Sequence, residues 1–195
     1  MQPLPDTAFV RAALRLLEQV GSTFTRPVTM ILAGGAAVHM YTPHARMSGD
    51  LDAEFQGRVL LPADLLISYT DDDGTPRTLS LDSNYNTTLG LMHEDYVQDS
   101  VDLGEHANGM IRLRMLSALD LAVSKISRLA DNDREDIRLL AENGFITSAD
   151  LRARALEALE YYVGYPQSVR LNIADAVAIV QEVEHGRSAQ HPACR

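Results

Sequence analysis

The chain has little cysteine, little positive charge and no long apolar run, and each shortage excludes something. Its one cysteine, Cys194, stands in a polar carboxyl-terminal stretch. It cannot form an internal disulfide, so nothing calls for an oxidising compartment and a cytoplasmic protein is expected. Lys and Arg number 17 against 27 Asp and Glu, a formal charge of −10. Without a dense Lys/Arg cluster there is no broad electrostatic footprint for a phosphate backbone, which disfavours tight, sequence-independent nucleic-acid binding. Only Arg112, Arg114, Lys125 and Arg128 offer a local basic rim that would meet a nucleotide or an RNA end. No apolar run approaches the ~20 residues a membrane-spanning helix needs, and the amino terminus lacks a basic region followed by an apolar core. The expectation is a soluble, unprocessed chain without internal repeats.

What is present is enough apolar material for a core. A chain of 195 residues that is 46% apolar suits one well-buried domain, or one domain with a helical appendage. Phe9, Ala13, Leu16, Leu17 and Val20 recur at helical spacing, with Asp6 or Thr7 able to cap the start and Gly21 placed to end it. A buried strand follows over Val28 to Ala33. Gly34 and Gly35 turn it, a short helix covers Ala36 to Tyr41, and an acidic strand opens around Asp50.

Leu65 to Thr70 and Arg77 to Asp82 read as a hairpin around the turn-forming Asp71 to Pro76. Ser100 to Leu103 and Met110 to Met115 read as a second strand pair, joined through Gly104 to Gly109. From Ser117 the period changes from two to 3.6, and Ser117 with Asp120 resembles a capping box. Helices are expected at Ala118 to Leu129, Arg134 to Glu142, Ala149 to Tyr162 and Ile173 to Glu184, broken at Asn143-Gly144 and at Gly164 to Pro166. The expected division is an α/β core over 1–116, a helical bundle over 117–186 and a flexible tail over 187–195.

The chemistry concentrates between Ile31 and Phe55. Side chains alternate in an extended segment, so Asp50, Asp52 and Glu54 project to one side while Leu51, Ala53 and Phe55 project to the other. Carboxylates pointing the same way repel unless a cation neutralises them, and hard oxygen ligands at this spacing suit Mg²⁺ or Mn²⁺ shared with substrate phosphates. In the later strand Thr78, Ser80 and Asp82 share the polar face, so Asp82 can reach the same cleft, with Glu54 in reserve. An acidic strand end is also a common surface feature. Gly34 and Gly35 allow close approach of backbone to a phosphate, and equally serve a plain strand-to-helix turn.

The order Gly34, Gly35, Arg46, Ser48, Asp50, Leu51, Asp52, together with Lys125, Arg128, Asp133 and Asp136 farther on, resembles the nucleotidyltransferase superfamily with the polymerase-beta-like fold. The similarity is closest to the branch of abortive-infection type nucleotidyltransferase toxins and related proteins, and covers roughly Ile31 to Leu140. It implies an α+β protein, a small mixed sheet flanked by helices and followed by a carboxyl-terminal helical bundle. It further implies metal-dependent transfer of a nucleotidyl group from a nucleoside triphosphate. Asp50, Asp52 and Asp82 would hold Mg²⁺ or Mn²⁺, and Asp82 would help deprotonate the acceptor hydroxyl. Gly34, Gly35, Arg46, Ser48 and Lys125 would bind the nucleotide.

The acceptor would be a small molecule such as an aminoglycoside, a tRNA end or a protein side chain, and a toxin role would bring an antitoxin partner. Several residues keep a plainer alternative. Lys125 reads equally as a solvated lysine on the polar side of a helix. Asp133, Glu135 and Asp136 suit the positive end of a helix. Arg46 would contact phosphates or pair with an acid. Consecutive His93, Glu94 and Asp95 do not face one ion and read as acceptor-site lining or structure, and His39 and His44 read as packing or turn residues. The alternative to an enzyme is a catalytically inactive module of the same fold that binds a nucleotide or a protein.

Overall fold

The longest uninterrupted apolar burial in a strand belongs to β1, Val28–Leu32, whose Met30, Ile31 and Leu32 are all buried. Consecutive burial of that kind marks a strand covered on both faces. β1 is accordingly central in a mixed six-stranded sheet of order β3-β4-β2-β1-β6-β5. The other strands are β2 (Asp50–Gln56), β3 (Leu66–Thr70), β4 (Pro76–Asp82), β5 (Val101–His106) and β6 (Ile111–Met115). β1 runs antiparallel to β2 and parallel to β6, β2 runs parallel to β4, and the pairs β3/β4 and β5/β6 are antiparallel. The fold is α+β. The structure is a computed structural model that describes residues 4–43, 48–62, 65–82 and 90–190.

Helix α1, Ala8–Gly21, starts where Thr7 accepts a hydrogen bond from the Val10 N–H at 3.2 Å, and Thr7 is thus the cap. All five of its expected apolar residues are buried, and α1 packs against β3 and β4. Truncating Leu16 to alanine there would cost about 2–5 kcal/mol. α2, Gly34–Tyr41, begins at the first glycine and includes the pair, rather than starting after it. The reason is that the extended Ala33, at the N-cap, already accepts the first helical bond at its carbonyl, from the Ala37 N–H at 3.1 Å, although Gly34 itself has a φ of +59°. Tyr41 donates from its hydroxyl to the Leu116 carbonyl at 2.9 Å, tying the end of α2 beside the end of β6. His39 is buried, packs on Phe9 and lies 3.0 Å from the Thr7 hydroxyl, a packing residue as expected.

β5 runs three residues farther than the sequence suggests, to His106, while β6 starts one residue later, at Ile111, so the connection between them is shorter. Gly104 lies within β5 at a bulge, and the reversal is made by Ala107, Asn108 and Gly109, all at positive φ. A short α3, Tyr96–Asp99, precedes β5.

The sheet with α1 and α2 forms one compact unit, and the later helices with residues 90–96 form a second. The second contains α4 (Ala118–Ile126), α5 (Asp131–Glu142), α6 (Ser148–Glu160) and α7 (Pro166–Gln190). α7 is much longer than expected: it starts directly at Pro166, a residue preorganised for the first helical position, and continues past Glu184. In this unit α6 and α7 pack on one another, and α4 contacts α5, α6 and α7. Leu121, Ile126, Ile137, Leu140, Leu151 and Ala155 are fully buried in its core. Asp120 is buried as well, and its carboxylate is clasped by Arg154 of α6 at 2.8 and 3.0 Å. No helix among the described residues is long and apolar enough to cross a membrane.

Candidate active site

β2 carries its acids on alternate positions. Leu51 and Ala53 are buried, whereas Asp50 is exposed and Asp52 and Glu54 are half-buried. The neighbouring parallel strand β4 adds a further carboxylate: Asp82 is the register partner of Asp52, and Ser80 is the partner of Asp50. Register partners on parallel strands project from the same face. Asp50, Asp52, Ser80 and Asp82 therefore stand on one side of two adjacent strands. Glu54 faces Ile31 of β1 in the register, two residues farther along β2.

Above Asp52 the chain leaves β1 and enters α2. The Ala33 N–H donates to the Asp52 carbonyl at 2.9 Å, so the β1–α2 junction is held against β2 at the acid itself. Gly34 is next. A Cβ at this position would come within 1.6 Å of Asp52 Oδ2, so the Asp52 carboxylate occupies the space a side chain would fill. Both the left-handed backbone and the crowding require glycine. The open first turn of α2 follows, where backbone N–H groups have no intrahelical partner and favour anions.

Ser48 donates its hydroxyl to Asp50 Oδ1 at 2.7 Å. It is thus an orienting group for a carboxylate in this structure. Ser80, which the sequence reading does not single out, binds the Gly49 carbonyl through its N–H at 3.1 Å and completes the polar face. Its signal lies in the same alternation that singles out Asp82. Arg46 and His44 lie outside the described residues.

Among the described residues, no three His, Cys, Asp or Glu side chains form a ready-made metal group. The donors on this face among the described residues are carboxylate and hydroxyl oxygens, a set that fits a small hard cation better than zinc.

Lys125 belongs to the helical unit. It is neither solvated nor on an open polar face: only 7% of its side chain is exposed, and its ammonium lies 2.6 Å from Asp136 and 3.8 Å from Asp133. Asp133 also takes two hydrogen bonds from Arg128, both at 2.7 Å, and one from the Ala130 N–H at 3.0 Å. Burial pushes the Asp133 carboxyl up, but these donors and the nearby Lys125 charge outweigh it and hold the group below its ordinary value. The second acidic pattern is thus a helix cap and a buried ion network.

The local basic rim is similarly accounted for. Arg112 pairs with Asp102 at 2.7 Å, and Arg114 donates to the Ser100 hydroxyl at 2.6 Å. His93 faces Glu157 at 3.3 Å through Nε2 and accepts from the Asp95 N–H through Nδ1 at 3.1 Å. The Tyr161 hydroxyl bonds Glu94 at 3.1 Å, so the His-Glu-Asp run anchors its segment to α6 and the residue that follows it.

Residues 11–176 match a family described as "Nucleotidyltransferase of unknown function (DUF6036)". The chain belongs to this family. The match spans the glycine pair, the acids of β2, Asp82 and the Lys125–Asp136 network, and it ends inside α7 of this nucleotidyltransferase-family protein. No curated protein and no solved structure matches the chain.

Proposed function

We propose that this member of the nucleotidyltransferase family moves a nucleoside monophosphate from a nucleoside triphosphate to an acceptor hydroxyl. The acceptor oxygen attacks the α-phosphorus, pyrophosphate leaves, and Asp82 takes the acceptor proton. Asp50, Asp52 and Asp82 would hold Mg²⁺ or Mn²⁺, which when bound neutralises the gathered carboxylates and stabilises the attacking and leaving oxygens of an in-line displacement. Gly34 and Gly35, at the start of α2, receive phosphate oxygens on backbone N–H groups, and Ser48 orients Asp50.

The observation that carries this reading is the register of Asp52 with Asp82, beside a glycine that has no room for a side chain because Asp52 fills it. That placement favours Asp82 over Glu54 as the third carboxylate. The acceptor class is open to a direct screen with aminoglycosides, tRNA and protein.

The test is thermal unfolding with each of the four ribonucleoside triphosphates, with and without Mg²⁺, for the wild type and an Asp50→Ala/Asp52→Ala variant. A ligand at 100 times its dissociation constant adds about 2.7 kcal/mol, which melting resolves. The expected result is a Mg²⁺-dependent rise that the variant lacks. A rise that the variant keeps would overturn the assignment of the acids, and no rise with any nucleotide would favour a non-catalytic protein-binding module.

A further inference from the structure

The helical unit leaves an unusual amount of large apolar surface uncovered around one helical hairpin. Leu156 on α6, Tyr161, Val163 and Tyr165 in the connection, and Leu171 near the start of α7 are all exposed, Tyr165 to 87% and Leu171 to 71%. Clustered exposure of this kind, rather than scattered single residues, marks an interaction surface. A groove of about 270 Å³ runs along the same hairpin, lined by Arg152 and Leu156 of α6 and by residues of α7. The α7 positions are Arg170, Ile173, Ala174, Val177 and Gln181. They form one helical stripe of about three turns, roughly 16 Å of helix axis.

The groove's charge bears on what would cover it. Arg152 and Arg170 have no carboxylate or other polar partner among the described residues, in a chain whose net charge is −10. Elsewhere in the helical unit arginines are engaged: Arg128 with Asp133, Arg134 with Asp175, Arg154 with Asp120. An apolar floor with two unpaired guanidiniums is complementary to a segment that is apolar on one side and acidic at its margins. A three-turn stripe seats a helix, read through anchors at i, i+3/i+4 and i+7. A second copy of the chain suits it poorly, because a two-fold contact through this face sets the same arginines against each other.

We propose that the α6–α7 hairpin is a docking site for an acidic amphipathic helix of a partner protein. Leu156, Ile173, Ala174 and Val177 receive its apolar side, and Arg152 and Arg170 receive its carboxylates. The proposal does not depend on the activity of the acids on β2.

The experiment uses the full chain and two synthetic helical peptides of roughly 18 residues with the same leucine spacing, flanked by Glu in one and by Lys in the other. Fluorescence anisotropy is measured for the wild type, for Arg152→Glu/Arg170→Glu, and for Arg152→Gln/Arg170→Gln, with each variant's fold checked by its melting curve. The expected result is at least about ten-fold tighter binding of the Glu peptide by the wild type. The Gln variant should lose that preference and the Glu variant should invert it. Equal binding of both peptides, no binding of either at about 1 mM, or an unchanged preference in a folded variant would overturn the proposal. So would a dimer of the chain alone, seen by sedimentation and abolished by the Gln variant, which would make a second copy the occupant. Binding of decanoate with the same arginine dependence, and not of the Glu peptide, would overturn it in favour of a small anionic amphiphile.

Discussion

Gly34 and Asp52 compete for the same space: a Cβ on the glycine would sit 1.6 Å from Asp52 Oδ2 and 2.5 Å from its Cγ. Gly34→Ala must therefore displace the carboxylate as well as strain a backbone whose φ is +59°. The strain alone costs about 1 kcal/mol, or roughly 2–4 °C in melting temperature for a domain of this size. Gly74 separates the two effects, because its φ is +83° while nothing lies within 4 Å of the point where a Cβ would stand. Gly74→Ala is expected to lower stability by a similar amount and keep Mg²⁺-dependent nucleotide binding, whereas Gly34→Ala loses that binding. Calorimetric titration of both variants with the preferred triphosphate checks it, and retained affinity in Gly34→Ala would detach the glycine from the site.

The alternation of Asp50, Asp52 and Glu54 against Leu51 and Ala53 is legible in the sequence because a strand has a period of two, and the same parity brings Asp82 to the correct face. What alternation cannot supply is register. Only the parallel pairing of β2 with β4 sets Asp82 beside Asp52, and only the antiparallel pairing of β2 with β1 sets Glu54 opposite Ile31. The burial of Lys125 escapes the sequence for a related reason: its carboxylate partners are 8 and 11 residues away on the next helix, and helical periodicity within α4 carries no information about them. The length of α7 is hidden because Val169, Ile173, Ala176 and Ile179 are buried while Leu171, Ala174 and Ala178 are exposed, so its apolar residues do not mark one face.

Lys125 predicts a stability effect. Its ammonium compensates Asp136, whose side chain is 1% exposed, and contributes to Asp133. Lys125→Met leaves buried carboxylate charge without its cation and is expected to cost about 3–5 kcal/mol in urea unfolding. Adding Asp136→Leu should recover part of that loss, because both charges are then removed. A single variant within about 1 kcal/mol of wild type would contradict the buried pair. If the single variant lost nucleotide binding in excess of its stability loss, Lys125 would be assigned to the phosphates instead.

Asp133 predicts a pH dependence with a defined sign. Its carboxyl is held below the ordinary value of about 3.9 in the folded state, despite burial, by Arg128, the Ala130 N–H and Lys125. A depressed acid contributes stability that is fully present above its unfolded pKa and is lost as pH falls through the folded one. The stability difference between wild type and Asp133→Asn should thus be constant from neutral pH down to about 5 and shrink below about pH 4. Urea midpoints of the two proteins across this range provide the comparison, and a difference independent of pH would remove Asp133 from the acid limb.

Ser48, expected from the sequence to bind the nucleotide, has a carboxylate as its partner in the structure. Its hydroxyl donates to Asp50 Oδ1 at 2.7 Å, which fixes the direction of a carboxylate proposed to hold Mg²⁺. Removing a group that orients a metal ligand typically weakens metal affinity or activity about 10–100-fold. Ser48→Ala should therefore raise the Mg²⁺ concentration needed for half-maximal nucleotide binding by about that factor, while affinity at saturating Mg²⁺ stays near wild type. A hydroxyl that instead contacts the triphosphate gives the opposite pattern, with weaker nucleotide binding at every Mg²⁺ concentration. Titrating the triphosphate at a series of fixed Mg²⁺ concentrations distinguishes them, because the orienting role moves the metal dependence and the phosphate-binding role moves the limit.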